Sequence, residues 1–278
     1  MDQAMLGLNM MSLLVYLDDI VVYSTTVGEH LSSLESLFVR LRQVNVKLKP
    51  SKCQLLRDTI HFLGHVVNRE GVSTDPEKVS AVREWPIPRT VTDVRAFVGL
   101  CSYYRKFIEG FADIARPLHQ LTGKYAKFDW DEACQQAFDT LKDKLTQSPV
   151  LALPQDTGVF ILDTDASALS IGAVLSQVQN GVEKPLAFAS KLLSKSEINY
   201  SITRRELLAV VTYLKHFRHF LLGREFVLRT DHAALQWVHR TPEPIGQQAR
   251  WLSILEEFQA YTVQHRPGQT HGNADSLS

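Results

Sequence analysis

Acidic side chains occur at four places in this chain where a predicted strand or helix begins or ends. A short apolar run, residues 160–162, leads to Asp165, and Glu206, Asp231 and Asp275 follow at wide spacings. A site assembled from the ends of several elements requires this kind of placement. Carboxylates packed together repel one another, and a hard divalent cation such as Mg²⁺ offsets that repulsion. We therefore predict that these four residues form one metal-binding cluster.

Each of these acids also has a possible local role that involves no metal. Asp165 could begin a turn, and Asp231 could cap the helix that follows it. Thr203-Arg204-Arg205-Glu206 has the capping-box pattern, which would leave Glu206 a purely local function. Asp275 could be an acid favoured in the first turn of a helix. Taken singly, each local role explains its residue as well as metal binding does, but four acids at such positions are hard to explain jointly by caps alone.

The elements that must position these acids are predicted from residue 158 onward. Asn180-Gly181 is a strong hairpin signal between two of the strands. The predicted strands are residues 159–164, 171–177, 185–190, 226–230 and 261–265, and the predicted helices are residues 203–222, 232–238, 247–258 and one that begins at 272–275. Glu206 shares a helix face with apolar residues and so begins on the sheet-facing side. This order of elements predicts an α/β layered domain.

A second acidic pair, Asp18 and Asp19, lies near the start of the chain. Two β-rich runs, residues 13–17 and 20–24, flank the pair, which predicts a hairpin with both aspartates at its tip. Adjacent carboxylates at a turn repel each other and gain from a divalent cation. From the pattern alone, a metal site and a solvated polar turn are equally good interpretations.

The middle of the chain is predicted to be mainly helical, with a basic and aromatic patch. Arg95, Arg105 and Lys106 lie close in sequence to Tyr103 and Tyr104, which suits either a nucleic-acid backbone or a solvated helix face. The predicted helices are residues 30–44, 75–85, a segment capped by Thr92 that includes Tyr104, and 131–145. A strand is predicted at 46–53, a hairpin within 60–67 and an extended linker at 148–154.

Composition bounds the interpretation only loosely. The chain has 278 residues, with 45% hydrophobic and 22% charged residues, and Lys+Arg and Asp+Glu both number 30. Net charge therefore gives no indication of a nucleic-acid partner, and any basic groove must be local. The 3 cysteines are too far apart to suggest a disulfide framework or a zinc site. The N-terminus lacks the pattern of a signal peptide, and the apolar run at residues 10–17 is too short for a transmembrane helix.

The first hundred residues resemble the polymerase part of reverse transcriptases. Tyr16-Leu17-Asp18-Asp19 between apolar strands is similar to the polymerase metal motif of these enzymes. Phe62-Leu63-Gly64-His65 resembles their primer-grip hairpin, where a glycine lets the backbone approach a nucleic-acid strand. Residues 95–108 resemble the thumb of gypsy-class retrotransposon reverse transcriptases. The resemblance implies nucleic-acid contacts at Phe62, Leu63, Gly64, His65, Arg95, Tyr104, Arg105 and Lys106.

The remainder closely resembles the ribonuclease H domain of gypsy-class LTR retrotransposon Pol polyproteins. The similar stretches are residues 160–167, 171–175, 205–209, 228–232 and 272–277. The resemblance implies that Asp165, Glu206, Asp231 and Asp275 are catalytic metal ligands for two Mg²⁺ ions. It does not imply a metal-ligand role for Asp163, which lies on the same strand face as Asp165. His265 and His271 are weaker candidates for assisting product release, and Lys191, Lys195, Arg204 and Arg205 form a basic strip suited to phosphates.

The resemblance implies a multi-domain α+β chain. Residues 1–72 would be a remnant of the reverse transcriptase palm, 73–155 the thumb and connecting segment, and 156–278 a ribonuclease H-like five-stranded mixed sheet with helices. The implied activity is Mg²⁺-dependent endonucleolytic cleavage of RNA in RNA–DNA hybrids. The implied partners are such hybrids, primer-template nucleic acid and the rest of a Pol polyprotein or a homodimer, with no membrane partner. The implied location is intracellular, in a cytoplasmic particle or the nucleus.

The chain departs from the family pattern at its start. In this family the first of three polymerase aspartates lies on a strand upstream of the Asp-Asp hairpin, and this sequence begins after that point. Asp18 and Asp19 would thus be a partial polymerase site, and the chain alone is expected not to synthesise DNA. Two alternatives stay open, namely a non-catalytic relic that binds RNA–DNA hybrids and an unstable fragment without function.

Overall fold

The computed structural model of this chain describes residues 5, 7, 8, 11–230, 246–258 and 260–265, with the side chains of residues 248 and 265 excepted. The predictions made for Asp231, residues 232–238, His271 and Asp275, and for the side chain of His265, lie outside this described part. The chain divides into two compact units, one ending at Phe62 and one beginning at Leu63. Each unit is described by itself below.

The first unit contains the predicted acidic hairpin. Strands β1 (Leu13–Tyr16) and β2 (Asp19–Val22) pair antiparallel, and Tyr16 is opposite Asp19. The loop therefore consists of Leu17 and Asp18, and the prediction that both aspartates form the tip is wrong for Asp19. The register is set by apolar residues, because Leu13 is buried with Leu37 and Leu41 of the following helix. A short strand β3 (Ile60–Phe62) ends the unit.

The helix of the first unit, α1 (Val27–Gln43), begins earlier than residue 30 because its N-terminus is capped. The Thr26 hydroxyl accepts from the Glu29 backbone N–H at 3.2 Å, and the Glu29 carboxylate accepts from the Thr26 N–H at 3.2 Å. This reciprocal capping box satisfies two N–H groups that lack helical partners. The strand predicted at residues 46–53 is absent, and that segment contains a 3-10 turn at Pro50–Lys52 instead, because Pro50 cannot donate to a strand ladder.

The second unit begins with a short hairpin and four helices. The hairpin strands are β4 (His65–Val67) and β5 (Val72–Thr74), and the helices are α2 (Pro76–Arg83), α3 (Val91–Tyr103), α4 (Phe111–Leu121) and α5 (Glu132–Thr146). The cap of α3 is Thr90 rather than the predicted Thr92, since Thr90 and Asp93 form a capping box. Tyr104, predicted inside this helix, is its C-cap. Together α2–α5 are called the helical segment below.

A five-stranded mixed sheet follows, as predicted. Its strands are β6 (Phe160–Ala166), β7 (Ser170–Gln179), β8 (Val182–Leu192), β9 (Phe226–Thr230) and β10 (Tyr261–His265). The spatial order is β10-β9-β6-β7-β8, with β6, β7 and β8 antiparallel and β9 parallel to both β6 and β10. Asn180 and Gly181 form the β7–β8 turn with φ of 53° and 77°, as two-residue hairpins require.

One face of the sheet is covered by helices. These are α6 (Ile202–His216), the short α7 (Arg218–Leu221) and α8 (Gln247–Glu257). The helix predicted at residues 203–222 therefore ends at His216 before a short second helix. Leu162, Leu175 and Leu228 of the sheet share a core with Leu214 of α6 and Trp251 of α8. Burying each such leucine contributes about 1.5–3 kcal/mol, so this core fixes where α6 begins on the sheet.

The helical segment packs against the β8 side of the same sheet. Phe188 of β8 packs against the core that the helical segment forms. The residues predicted as a linker are extended but anchored, because Leu151 pairs with Val72 and the Ala152 N–H donates to the Pro185 carbonyl at 2.9 Å. The helical segment and the sheet consequently belong to one compact unit.

Candidate active site

Asp165 lies near the end of the central strand β6. It is opposite Gly172 of β7, and Asp163, two residues earlier, is opposite Val174 of β7 and Arg229 of β9. Residues two apart on a strand share a face, so Asp163 and Asp165 point to the same side of the sheet. Asp165 is half-buried, and its Oδ2 atom is buried with no hydrogen-bond partner among the described residues. Such an oxygen is costly unless another group binds it.

Glu206 lies in the second turn of α6, and its surroundings correct the capping prediction. The N-cap is Ser201, whose hydroxyl accepts from the Arg204 N–H at 3.3 Å, so Thr203 is already inside the helix. Thr203 and Glu206 therefore do not form a capping box. The Glu206 side chain is 6% exposed, which is unusual for a carboxylate.

The start of α6 is tied to the turn that follows β6. The Arg205 Nη1 atom donates to the Ser167 carbonyl oxygen at 2.5 Å. Because Arg205 precedes Glu206 and Ser167 is two residues beyond Asp165, this bond holds the two acidic segments near each other. The hydroxyl oxygens of Thr164 and Thr230 are also buried without a hydrogen-bond partner in the described part of the chain. Thr164 lies between Asp163 and Asp165 on β6, so its side chain points to the opposite face of the sheet.

The described residues supply only part of the predicted ligand set. Within those residues, no three His, Cys, Asp or Glu side chains form a group that could hold a metal ion. Asp231 directly follows β9 in sequence and lies outside the described residues, as does Asp275. Carboxylate oxygens are the ligands that Mg²⁺ prefers, so Asp165 and Glu206 have suitable chemistry for it.

The turn between β6 and β7 is bonded on a second side, which the sequence analysis did not anticipate. The Ser167 hydroxyl accepts from the N–H groups of Leu169 and Ser170 at 3.1 and 2.9 Å. Ser170 is fully buried, and its hydroxyl donates a short hydrogen bond to Asp113 Oδ2 of α4. No sequence signal pointed to Asp113, because helix α4 itself was not predicted.

Asp163 belongs to an ion-pair network instead. Arg229 Nη1 is 3.5 Å from Asp163 Oδ2 and 2.9 Å from Glu183 Oε2. Asp163 and Arg229 are both buried, whereas Glu183 is at the edge of the network. Arg229 therefore balances the charge of one carboxylate that lies beside Asp165 on the strand.

Three residues of the predicted basic strip have side-chain partners, whereas no such partner of the exposed Lys195 is found among the described residues. Lys191 forms an ion pair with Glu197 at 2.9 Å. The Arg204 guanidinium lies 3.9 Å from the centre of the Tyr200 ring and bonds to Gln247 of α8. Together with the bond from Arg205 described above, these contacts fix the beginning of α6 against its neighbours.

The turn at Leu63–Gly64 is bonded to two tyrosines. Tyr103 and Tyr104 donate their hydroxyls to the Leu63 and Gly64 carbonyls at 2.5 and 2.7 Å. Gly64 has a φ of 67°, and a Cβ there would be 3.1 Å from the Tyr104 hydroxyl, so the turn itself requires a glycine. Tyr104 is only 1% exposed, and burial raises its pKa to about 12.

The other residues of the predicted nucleic-acid set differ in exposure. Arg105 is exposed, and so is Arg95, whose Nη2 donates to the Thr122 carbonyl at 3.1 Å. Lys106 is half-buried over the Phe107 ring, and burial lowers its pKa. His65 packs against Tyr103, Tyr104 and Phe107, and burial followed by the nearby charge of Lys106 lowers its pKa. Phe62 is the last residue of β3 and half-buried.

Asp18 and Asp19 have much simpler surroundings. Both are exposed on the β1–β2 hairpin, Asp18 in the loop and Asp19 at the start of β2. No group of three potential ligands includes them within the described residues. Elsewhere in this described part, none of the helices combines the length and apolar character needed to cross a bilayer.

Two family models match the chain in separate regions. Residues 1–67 match the model described as reverse transcriptase (RNA-dependent DNA polymerase), and residues 130–228 match the RNase H-like domain found in reverse transcriptase. The second match includes both Asp165 and Glu206.

Curated relatives match almost the whole chain. The Retrovirus-related Pol polyprotein from transposon 297 of Drosophila melanogaster is 43% identical over 266 residues, which are 95% of this chain and 25% of that protein. The corresponding polyprotein from transposon gypsy of the same organism is 35% identical over 277 residues, or 95% of this chain and 26% of that protein. The chain thus spans about a quarter of the length of these relatives.

The solved structures with a similar fold include foamy viral proteins. A foamy viral protease-reverse transcriptase in complex with double-stranded DNA has a TM-score of 0.81 and 22% identity, covering 95% of this chain and 47% of that one. The same kind of protein in complex with an RNA/DNA hybrid has a TM-score of 0.78 and 23% identity, covering 94% of this chain and 36% of that one. At this identity the likeness shows the fold, which agrees with the α+β class predicted.

Proposed function

We propose that this chain, a segment of a retrotransposon Pol polyprotein with reverse transcriptase and RNase H-like domains, cleaves the RNA strand of RNA–DNA hybrids internally. The observation that carries the proposal is the Arg205–Ser167 bond, which ties the start of α6, next to Glu206, to the turn two residues after Asp165. The Asp165 Oδ2 atom there is buried with no partner among the described residues.

Mg²⁺ is the proposed cofactor, and Asp231 and Asp275 are the proposed further ligands. Two such ions would supply an activated water and stabilise the leaving oxygen. The protein's own contribution is to hold carboxylates at fixed places in a partly dry site. The Arg205–Ser167 bond keeps α6 and the end of β6 together, and the core beneath them prevents α6 from shifting.

Recognition of the substrate is proposed to depend on the shape of the hybrid and on its 2′-hydroxyl groups rather than on base sequence. Support comes from the related foamy viral protein, which has been solved with an RNA/DNA hybrid. Lys195 and Arg105 are exposed and could contact phosphates, whereas Lys191, Arg204 and Arg205 would first have to exchange an internal partner.

Several finer assignments belong to the same proposal. Gypsy-class membership is supported by the relative from transposon gypsy. Asp18 and Asp19 are proposed as two ligands of a polymerase metal site in a longer Pol polyprotein, with primer-template nucleic acid bound near Leu63 and Gly64. Action inside the cell, in a particle or the nucleus, follows from that reading.

The test is cleavage of an end-labelled RNA–DNA hybrid by the purified chain with and without Mg²⁺. We expect internal cuts in the RNA strand that disappear when the metal is chelated. Asp165→Asn should abolish them, whereas the matched control Asp139→Asn, an exposed carboxylate of α5 that bonds Gln135, should not. A folded wild-type chain that binds the hybrid tightly but never cuts it would instead establish a non-catalytic binding relic.

A further inference from the structure

The helical segment contributes a carboxylate that is bonded to the turn beside the proposed active site. We propose that Asp113 of α4, acting through Ser170, is a positioning residue that holds the β6–β7 turn and thereby the Asp165 carboxylate. The catalytic consequence of this inference rests on the proposed ribonuclease activity, but the positioning itself does not. Asp113 and Ser170 belong to the same chain, so this contact requires no other molecule.

The Asp113–Ser170 bond is a long-range contact inside the protein. Ser170 begins β7, is 0% exposed and donates its hydroxyl proton to Asp113 Oδ2. A hydrogen bond to a charged acceptor is about twice as strong as a neutral one, and it gains further where water is excluded. Asp113 itself lies in the first turn of α4, where the helix dipole favours its negative charge.

A second hydrogen bond joins Ser170 to Ser167 in the turn. The hydroxyls of Ser170 and Ser167 are 3.1 Å apart, and the Ser167 Oγ atom accepts the N–H groups of Leu169 and Ser170. The Ser167 N–H donates to the Ser170 carbonyl at 2.9 Å, which closes the turn. The turn thus has its own internal bonds, and the Asp113 carboxylate anchors it to the helical segment.

The same turn is anchored to α6 on its other side. Arg205 donates to the Ser167 carbonyl, next to Glu206 in sequence. The turn is therefore bonded to the helical segment through Ser170 and to α6 through Ser167. Asp165 pairs with Gly172, two residues after Ser170, so movement of this turn would displace the β6 end that carries Asp165.

Small displacements of this kind matter for catalysis. Reacting groups must be held within about 0.5 Å of their productive positions, and supporting residues typically contribute about 10- to 100-fold to metal affinity or activity. Other contacts between the helical segment and the sheet do not involve this turn. The Ala112 N–H, for example, donates to the Ser190 hydroxyl of β8 at 2.8 Å without touching the turn.

The test uses four variants of the full chain. Ser170→Ala and Asp113→Ala each remove the anchoring bond, and only Asp113→Ala also removes a first-turn acid from α4. Asp113→Asn is the conservative rescue, because its amide oxygen can still accept from Ser170. Ser190→Ala is the matched control that loses one bond between the helical segment and the sheet but leaves the turn intact.

The first readout is hydrogen exchange of the amides at residues 167–170, which requires no activity. We expect about tenfold faster exchange in Ser170→Ala and Asp113→Ala, as loss of one charge-assisted hydrogen bond predicts. A smaller increase is expected in Asp113→Asn, whose neutral amide oxygen forms a weaker bond, and wild-type rates in Ser190→Ala. Unchanged exchange in the two alanine variants, in proteins with native thermal unfolding curves, would overturn the proposal. So would equal loosening in Ser190→Ala.

The second readout is hybrid cleavage under saturating Mg²⁺. We expect kcat to fall about tenfold in Ser170→Ala and Asp113→Ala with KM unchanged, because the substrate-binding surface is untouched. Faster exchange without any loss of kcat would refute the link to the active site. If the wild type cuts no hybrid at all, the proposed function fails, and the exchange rates alone still decide whether Asp113 anchors the turn.

Discussion

The acids near the end of β6 and the start of α6 are carboxylates, like the acids on the β1–β2 hairpin, but their surroundings differ. Asp165 and Glu206 come from two elements that share a core, and Asp165 has a buried oxygen without a partner in the described residues. Asp18 and Asp19 are adjacent in sequence and exposed on a two-stranded hairpin. The first pair is restrained by packing and by the Arg205–Ser167 bond, and the second by the hairpin alone.

Burial of the side chain is one property that makes a carboxylate a candidate metal ligand. A single exposed acid is solvated by water and gains less from a cation than a buried one, because the interaction of charges is weak at high dielectric. A partly buried acid has lost that solvation and is stabilised by any positive charge that reaches it. Position at an element end is therefore less informative than the number of elements that hold the side chain in place.

The largest expected effect is the loss of hybrid cleavage when the charge of Glu206 is removed. Glu206→Gln keeps the volume of the side chain but removes its charge, so hybrid cleavage should fall on the order of 10³-fold, about 4 kcal/mol of transition-state stabilisation. Asp18→Asn and Asp19→Asn should leave cleavage by the same chain unchanged. Cleavage rates of the three variants on one labelled hybrid provide the measurement, and a comparable loss in Asp19→Asn would mean that the two regions are not independent.

The next largest effect concerns the ion pair of Asp163, which lies on the same strand as Asp165. Arg229→Leu should lower the free energy of unfolding by about 3 kcal/mol, because it leaves the buried Asp163 without its cationic partner. The value is at the low end for buried pairs, since the Arg229–Asp163 distance is 3.5 Å. Urea denaturation measures it, and the double variant Arg229→Leu/Asp163→Asn should recover part of the loss. A double variant less stable than Arg229→Leu alone would contradict the pairing.

The five-stranded sheet could be predicted because its signals are local. Alternating apolar residues, the Asn180-Gly181 turn and the apolar face of α6 are all visible within short windows of sequence. Strand β9 and strand β10 begin and end at the predicted residues. The placement of Asp165 near a strand end follows directly from the same pattern.

Other parts could not be predicted because they depend on distant contacts. Helix α4 begins after Gly110, which has a φ of 67°, and contains Pro117, two residues that normally indicate a break. It is stabilised by five buried residues, four of which belong to the helical segment's core, and no local pattern shows these contacts. Consequently the Asp113–Ser170 bond, which joins residues 57 apart, was also invisible.

A smaller effect tests whether Ser201 or Thr203 caps α6, and thus whether Glu206 has a capping role. Ser201→Ala should cost about 1 kcal/mol because it removes the N-cap of α6. Thr203→Ala, at the position predicted as the cap, should change the free energy of unfolding by less than about 0.5 kcal/mol. Chemical denaturation of the two variants measures the difference. The reverse order would restore a capping role for Glu206 and weaken the comparison with Asp18 and Asp19.

The smallest effect concerns His65 and the dependence of the free energy of unfolding on pH. Burial and the charge of Lys106 lower the pKa of His65 in the folded state. The unfolded chain therefore binds a proton near the ordinary pKa of about 6.5 while the folded chain does not. The stability that neutral His65 contributes is present above that pH and is lost as the pH falls through the lowered folded pKa.

His65→Phe keeps an aromatic ring against Tyr103, Tyr104 and Phe107 but cannot be protonated. We expect its free energy of unfolding to fall less than that of the wild type between pH 7.5 and pH 5.5, in urea titrations at both values. Tyr103→Phe is the matched control, because it loses the hydroxyl bond to Leu63 while retaining the imidazole. It should be less stable than the wild type by the same amount at both pH values. An equal pH dependence in His65→Phe and the wild type would show that burial of His65 does not govern the acid sensitivity of this region, since the imidazole is the group that the variant removes.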